Sequence, residues 1–458
     1  PAGVQRLPQR RFEPVVRAAR GPVGFAIGAE YRRETNDYTQ DPLVDAGLTF
    51  YNAIPTFNPP AFEVKEIYGE LRVPILANMP FFHELTLTGA GRIADYKGRT
   101  GTVYAYNGGV EWSPIEDIRF RAQYARSVRA PNLTELFTPA GQNFAPGFLD
   151  PCDVANIGDG PNRAANCAAA GVPVGASIPY LQSLPYLSGG NPDLDAEKSD
   201  SWTIGGVLQP RFLPGFSASV DYYNITVNNV IVPLDAQTIV DACYDAETPV
   251  NSFCGLFTRN GAGAGPNQEA PYQIISNSLL SGPVNFAKLK VRGIDVEAAY
   301  RKNFGEFALN TRIQYTHVLQ NDNFLDPLRP DFADRVRYEL GDPADAFNWN
   351  VELKHGKVTL GYQMRYIGKM TPGNVENIQS VQGRDPENED AFDIRYYPDV
   401  FYHDLRLQVD VNDKFNAYIG VDNIADRLPP YGLTGIGGGS GIYNNIGRFF
   451  YAGAVAKF

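Results

Sequence analysis

The sequence predicts an all-β protein, an antiparallel transmembrane β-barrel with about fourteen strands. Three observations support this class. Segments with one apolar and one polar face recur along the whole chain, and the connections between them are predicted to alternate strictly between short turns and long loops. The polar faces also carry too many charges for a soluble core, because burying unpaired Arg, Glu or Asp is costly. Short turns at one end and long loops at the other are typical of outer-membrane barrels.

The segment Val400–Val411 shows this pattern most clearly. Its odd positions are mostly apolar: Phe401, His403, Leu405, Leu407, Val409 and Val411. Its even positions are polar: Tyr402, Asp404, Arg406, Gln408 and Asp410. Side chains on a strand alternate between its two faces, so the segment has one face for an apolar environment and one for water. A strand of a soluble sandwich would alternate in the same way. The recurrence of the pattern and the lengths of the loops decide between the two.

Further segments alternate in the same way. In each, every second residue is apolar over about 10 residues, which is the length of a tilted strand that crosses hydrocarbon. Those in the first half of the chain are Val23–Arg33, Val64–Ile75, Leu85–Ile93, Tyr104–Trp112, Ile118–Tyr124 and Trp202–Leu208. Those in the second half are Phe216–Tyr222, Leu289–Tyr300, Phe307–Tyr315, Phe347–Leu353, Val358–Tyr366, Phe415–Val421 and Phe450–Phe458.

Composition excludes several other classes of protein. Only 43% of the 458 residues are apolar, and no run reaches the roughly 18 apolar residues that a membrane-spanning helix needs. The net charge of −11 and the lack of a basic stripe argue against nucleic acid as a partner. No catalytic constellation is present, so the chain is not predicted to be an enzyme. The acidic stretches Asn321–Asp326 and Asp385–Asp393 lack a full calcium-loop signature, and no metal or cofactor is predicted.

A barrel domain is predicted over residues 23–458, after a lead-in at 1–22. Its long loops lie near 131–195, 233–282, 320–345, 370–397 and 427–446.

The four cysteines form two close pairs in loop segments rich in Gly, Pro and Asn. They predict the disulfides Cys152–Cys167 and Cys243–Cys254 and an oxidising compartment. A metal site is the alternative, but neither pair has Cys-x-x-Cys spacing or a nearby His.

Four short motifs lie in order at predicted strand–loop junctions. The first is ARSVRAPNLTELFTP, with Arg129, Pro131, Glu135, Leu136 and Phe137; the second is GNPDLDAEKSDSWTIG, with Asn191, Pro192, Leu194 and Glu197. The third is VDNIADR, with Asn423, Ile424 and Asp426, and the fourth is the terminal aromatic Phe458. Together they resemble the C-terminal barrel of TonB-dependent outer-membrane transporters, and the resemblance spans essentially the whole chain.

The resemblance implies a location in the outer membrane of a Gram-negative bacterium and a larger assembly. Members of the family have a barrel of about 22 strands that is filled by an N-terminal plug. We therefore expect the plug and the first barrel strands as partners, in a missing segment or a separate chain. The TonB complex (through the plug), outer-membrane lipids and the nutrient ligand are the other expected partners.

Charged residues on the polar faces have two interpretations. They line a water-filled channel, or they form hydrogen bonds to a folded plug, which the resemblance favours near the periplasmic end. The plug-facing candidates are Glu70, Arg72, Arg119, Arg121, Arg312, Arg365, Asp404 and Arg406; Glu111 and Asp410 share these faces.

The resemblance also implies that ligand binds in an outer vestibule beneath the loops. Aromatic residues of the loops are candidates to stack on a sugar ring or a siderophore: Phe137, Phe144, Tyr180, Tyr186, Phe257 and Tyr443. For each of them, packing of the loops against each other is the alternative.

The resulting hypothesis is the barrel portion of a TonB-dependent transporter that imports a scarce, large nutrient of the siderophore or oligosaccharide class. The alternative is a passive 14-stranded porin, or a structural outer-membrane barrel in a larger assembly.

Overall fold

A computed structural model of the protein describes residues 17–18, 21–49, 56–180, 183–430 and 441–457. Most of the predicted lead-in and the terminal Phe458 lie outside these ranges. Within them, an antiparallel sheet of 15 strands dominates the fold. Fourteen of its strands follow one another as hydrogen-bonded neighbours, and the short strand Asp334–Arg335 pairs beside them. The predicted fold class is confirmed.

We call the fourteen successive strands the wall strands and number them in chain order. They are β1 Gly24–Glu34, β2 Phe62–Met79, β3 Phe82–Tyr96, β4 Gly101–Ile115, β5 Ile118–Arg129, β6 Glu197–Leu208, β7 Phe216–Pro233, β8 Pro283–Phe304, β9 Phe307–Phe324, β10 Asp345–His355, β11 Val358–Ile367, β12 Val400–Asp410, β13 Phe415–Asp422 and β14 Phe449–Ala456. Each predicted segment coincides with one of them, but several strands are longer than predicted. β8 has 22 residues, about twice the length that crosses hydrocarbon, because its outer end continues into the loops.

Short elements occupy the connections. The helices are Pro42–Asp45, Leu133–Phe137, Arg163–Ala169, Ala236–Asp245 and Val375–Ile378, with a 3₁₀ turn at Phe253–Leu256. A small sheet contains Gly141–Pro146, Ser183–Ser188 and Leu280–Ser281, and Arg17–Ala18 pairs with Gly21–Pro22. Among the described residues, no helix combines the length and the apolar character needed to cross a membrane.

The wall strands divide their side chains between an apolar face and a polar face. On the apolar face Ile67, Ile93 and Tyr104 are neighbours across β2, β3 and β4, and each is about half exposed. On the polar face Arg72 Nη2 lies 2.9 Å from Glu84 Oε1 and 3.7 Å from Glu111 Oε2. Aliphatic side chains that have no protein cover fit a hydrocarbon environment, whereas paired charges fit water or a polar partner.

Aromatic residues of the apolar face gather toward the strand ends. At the loop end Tyr366 packs on Phe347 and Phe401, with ring centroids 5.0 and 4.9 Å apart. At the turn end Phe307 stacks on His355 at 4.4 Å. Such girdles are typical of the two membrane interfaces.

One polar residue of the apolar face has a local partner. His403 Nδ1 lies 2.8 Å from the hydroxyl of Tyr362 on β11.

The two ends of the wall carry different connections. Turns such as 116–117, 305–306 and 356–357 lie at one end, and the described loop residues lie at the other: 35–49, 56–61, 130–180, 183–196, 234–282, 325–344, 368–399, 423–430 and 441–448. The connection 97–100 between β3 and β4 is a tight turn on the loop side. The prediction of strict alternation is wrong there, because Gly98 and Gly101 adopt positive φ and close a hairpin.

The hydrogen-bonded path begins at β1 and ends at β14, which are therefore its edges among the described residues. Backbone groups at an edge have no water to bind in hydrocarbon. Both strands accordingly need a partner, either each other or further strands.

Candidate ligand vestibule

The two longest loops fold together into one unit, which we call the loop cap (residues 130–180, 183–196 and 234–282). The small sheet joins both loops, because Leu280–Ser281 pairs with Ser183–Ser188. A common core buries side chains from both loops, including Ile178, Leu184, Ile239, Val240 and Leu279. The cap is thus a packed structure at the outer end of the wall.

Both predicted disulfides are confirmed in this cap. Cys152 bonds to Cys167 and Cys243 bonds to Cys254. Cys152, Cys167 and Cys243 belong to the buried core, and Cys254 packs against it. Each bridge closes a short loop, so it limits how far the cap can unfold.

A buried ion pair joins the two halves of the loop cap. The guanidinium of Arg259 donates to both carboxylate oxygens of Asp150 at 2.8 and 3.0 Å, and to the hydroxyl of Tyr244 at 2.7 Å. The Asp150 side chain is fully buried and that of Arg259 is 6% exposed. Burial would lower the pKa of Arg259, but the Asp150 carboxylate outweighs this and holds the pKa above its usual value. A bidentate contact of this kind fixes both distance and orientation.

Motif residues meet where the loop cap joins the wall. Arg129 at the end of β5 donates to Glu135 at 3.0 Å and to Glu197 Oε2, at the start of β6, at 2.7 Å. Asn132 caps the helix Leu133–Phe137 through a capping box with Glu135. The first two motifs therefore fasten the cap to the strand ends.

The third motif has the same fastening role at the end of β13. Asn423 is fully buried; its side chain accepts from Arg427 N at 2.8 Å and donates to Arg427 O at 2.9 Å. Its backbone N–H donates to the carboxylate of Asp404 on β12 at 2.7 Å. Asn423 has φ +52°, a conformation that Asn tolerates better than most residues.

A cavity of about 910 Å³ lies between the loop cap and the loop 325–344. Carboxylates dominate the charged side chains of its wall: Asp159, Asp241, Asp245, Glu247, Asp326 and Asp334, with Arg329. Burial raises the pKa of Asp241, despite a hydrogen bond from Gln237 and the charge of Arg163. Arg163 pairs with Asp159, Asp241 and Asp245, and Arg329 pairs with Asp326, but carboxylates still outnumber these two cations. Such a wall accepts hydrogen bonds from hydroxyl and amino groups and repels anions.

Comparison with known proteins identifies the family. The family model described as TonB dependent receptor-like, beta-barrel matches residues 9–424. The chain belongs to the TonB-dependent receptor family. No match was found among curated protein sequences.

Solved structures of similar fold include two receptors. The siderophore receptor PirA from Acinetobacter baumannii is 13% identical, with a TM-score of 0.60, over 100% of this chain and 54% of that one. A mutant of the ferric enterobactin receptor PfeA from Pseudomonas aeruginosa, in complex with enterobactin, is 18% identical with a TM-score of 0.59, over 100% of this chain and 54% of that one. The chain thus spans about half the length of these receptors, and at these identities the likeness concerns the fold alone.

The predicted ligand-contacting aromatics of this receptor lie in different surroundings. Tyr186 is 8% exposed in the core of the loop cap, and Tyr180 and Phe257 pack against that core. The Tyr180 hydroxyl accepts from Ile274 N at 2.8 Å, and burial raises its pKa. Loop packing thus accounts for the positions of these three residues, and their contact with ligand stays a prediction.

The other three candidates are distributed over three sites. Phe144 is 40% exposed on the small sheet. Phe137 packs against a second buried cluster, which contains residues of both the cap and the wall strands. Tyr443 is 5% exposed in a third cluster, and its buried hydroxyl has no hydrogen-bond partner. Burial raises the pKa of this hydroxyl to about 12. The structure does not bring the six residues together, and their roles stay predictions.

Most of the predicted plug-facing residues of the receptor already have partners within the wall. Arg121 donates to both oxygens of Asp221 at 2.8 and 2.6 Å, and Arg312 donates to Glu297 at 2.7 Å. These contacts cross from strand to strand on the polar face. Charge pairing was not foreseen from the sequence, because each pair joins residues on different strands.

The remaining candidates contact aromatic rings or line the polar face. Arg365 lies over the ring of Tyr402 at 4.8 Å, and Arg406 lies over that of Tyr418 at 4.2 Å. Arg119 is exposed, and Glu70 lines a cleft of about 390 Å³. The carboxylate of Asp404 accepts the hydrogen bond from the backbone N–H of Asn423. Their contact with a plug stays a prediction.

Three carboxylates near the cavity were not predicted from the sequence to lie together. Asp334, Glu339 and Glu376 converge from two outer loops. Burial is the main cause that raises the pKa of Glu339 to about 7; the neighbouring charges of Asp334, Glu376 and Asp342 act in the same direction, and a hydrogen bond from Val375 N opposes the rise. Their sequence spacing carries no metal signature, so only the fold brings them together.

Proposed function

We propose that this receptor barrel imports a scarce, large nutrient of the siderophore or oligosaccharide class across the outer membrane, driven by TonB. The family match over residues 9–424 is the observation that supports this most. The partners are a plug, further barrel strands, the TonB complex, outer-membrane lipids and the nutrient ligand. Its site of action is the outer membrane of a Gram-negative bacterium.

In this proposal the loop cap and the neighbouring outer loops form the vestibule that binds the nutrient. The acidic wall of the 910 Å³ cavity supports a neutral or cationic ligand that is rich in hydroxyl or amino groups. A polyanionic ligand would be repelled there. Phe144 is the most exposed of the six aromatic candidates, and its ring is free to stack on a ligand.

The polar face of the wall holds the plug in this proposal. Arg72, Arg121 and Arg312 each lie beside carboxylates and are still half exposed. A plug can therefore exchange hydrogen bonds with them without leaving a buried charge unpaired. Contacts of this strength position the plug while allowing force to displace it.

The test measures accumulation of labelled nutrients in cells. A strain that lacks the receptor is complemented with it, with and without TonB, and supplied with ferric siderophores and oligosaccharides. We expect one ligand to accumulate only when receptor and TonB are both present. Accumulation that continues unchanged without TonB would contradict the proposal.

Conductance of the purified full-length receptor in planar bilayers tests the passive alternative. The proposal predicts a closed barrel with little steady current. A stable open pore would instead support a passive porin.

A further inference from the structure

The three converging carboxylates form a compact group at the edge of the vestibule. Asp334 and Glu339 come from the loop 325–344, and Glu376 comes from the helix Val375–Ile378 in the loop 368–399. One oxygen from each lies within 4.8 Å of the others. Asp334 also lines the 910 Å³ cavity. Two different outer loops thus place three carboxyl groups at one point.

The buried carboxylate of Glu376 gives a second, independent observation. Glu376 is 7% exposed, and its Oε1 accepts from Arg335 N at 2.7 Å. Its Oε2 is buried and has no hydrogen-bond partner. A buried carboxylate oxygen without a partner is costly, since it has lost water and gained nothing in return.

Nearby arginines direct their charge elsewhere. Arg335 Nε lies 3.6 Å from the Asp322 carboxylate, on the neighbouring wall strand β9. The guanidinium of Arg337 lies over the ring of Tyr338 and donates to Leu319 O. Within the described part of the chain, no ion pair involves Asp334, Glu339 or Glu376. The group therefore lacks a cation of its own.

We propose that Asp334, Glu339 and Glu376 bind a divalent metal ion of the calcium type. Calcium takes oxygen ligands at 2.3–2.6 Å, so two ligands on opposite sides of the ion are roughly 4.6–5.2 Å apart. Oxygens within 4.8 Å of one another have separations in the range that the ligands of one such ion span. Water and backbone carbonyls complete its coordination.

The surrounding contacts hold two of the three ligands in place before the ion binds. Glu339 Oε1 accepts from Val375 N at 3.1 Å, and Glu376 is held by Arg335 N. Buried Ala333 and Val375 pack in the same cluster between the two loops. The ion would therefore add a cross-link between loops that already touch, and it would stiffen one wall of the cavity.

The test titrates CaCl₂ into the full-length receptor in detergent at pH 7.5, after EDTA treatment and removal of EDTA, with calorimetric detection. Wild type is expected to show one saturable site that Glu376→Gln weakens at least tenfold. Glu389→Gln is the matched control, because Glu389 is an exposed carboxylate of the same loop. The control variant is expected to bind as wild type does.

Hydrogen exchange gives the second readout, and it also shows whether a variant has misfolded. Calcium should slow exchange in 334–340 and 374–379 in wild type and Glu389→Gln, but not in Glu376→Gln. Without calcium, Glu376→Gln should exchange no faster than wild type there, because it removes an uncompensated charge. Absence of saturable calcium binding in wild type would overturn the proposal, as would unchanged binding by Glu376→Gln. Tighter binding of Mg²⁺ than of Ca²⁺ would overturn the calcium assignment.

Discussion

At the scale of single residues, buried polar groups hold the outer loops in place. Asp150 and Arg259 connect two parts of the loop cap that are 109 residues apart in sequence, and both side chains are almost fully buried. Asn423 connects the end of β13 to Arg427 in the same way. Exposed pairs contribute little to stability, whereas a buried pair is costly to break because the remaining charge is left unpaired. These residues therefore control the shape of the vestibule more than the surface charges do.

Asp150→Asn removes the negative charge and leaves that of Arg259 buried. We expect this substitution to lower the free energy of opening of the loop cap by about 3–5 kcal/mol. Hydrogen exchange of cap amides measures the change.

The double variant Asp150→Asn/Arg259→Met should recover part of the loss, since it removes the unpaired charge. Asp326→Asn, which breaks the exposed pair with Arg329, should cost at most about 1 kcal/mol. A similar small effect for Asp150→Asn would contradict the structural role of the pair.

At the scale of elements, glycines and tyrosines pair across neighbouring wall strands. Gly420 lies opposite Tyr451, and Gly453 lies opposite Tyr418, in the register between β13 and β14. A Cβ atom added at Gly453 would come within 2.4 Å of the Tyr418 ring. Each ring thus covers the backbone of the opposite strand, which suits the polar face of the last two strands.

Gly453→Val is expected to displace the Tyr418 ring and to lower the temperature at which the barrel unfolds in detergent. The shift of electrophoretic mobility on heating measures this temperature. Ala454→Val adds similar bulk at the next position, on the exposed apolar face, and should leave the temperature unchanged. Equal effects of the two substitutions would contradict the proposed packing.

The segment 265–276 of the loop cap should depend on pH. Burial would raise the pKa of Glu269, but hydrogen bonds from Ser276 N and from Asn267 outweigh this and lower the pKa to about 2. A carboxylate whose pKa is lower in the folded state stabilises that state above its ordinary pKa of about 4.5. This contribution is lost as the pH falls from about 4.5 towards 2.

Hydrogen exchange of the Ser276 and Asn267 amides, corrected for intrinsic rates, measures this loss. Protection should decrease over that pH range in wild type. Glu269→Gln should show weaker protection that is independent of pH there. Protection in wild type that stays constant down to pH 2 would contradict the role of Glu269.

At the scale of the whole molecule, the wall was predictable from sequence and the loop cap was not. The alternation of apolar and polar residues is a local property, so each strand from β1 to β14 could be located from its own residues. Strand ends were less predictable, as in β8, because polar extensions beyond the membrane lose the alternation. The disulfides were predictable because their cysteines are close in sequence. The Asp150–Arg259 pair and the group of Asp334, Glu339 and Glu376 depend on distant loops meeting, which no local pattern encodes.

The most direct test of the transmembrane wall is a spin-label scan along β12 in the full-length receptor in membranes. Each position from Phe401 to Asp410 carries one label in turn, and collision rates with oxygen and with a water-soluble nickel complex are measured. Phe401, Leu405, Leu407 and Val409 should favour oxygen, which is enriched in hydrocarbon, whereas Asp404, Arg406 and Gln408 should not. A profile without this two-residue period, or with the nickel complex reaching both faces equally, would contradict a wall that meets lipid on one side only.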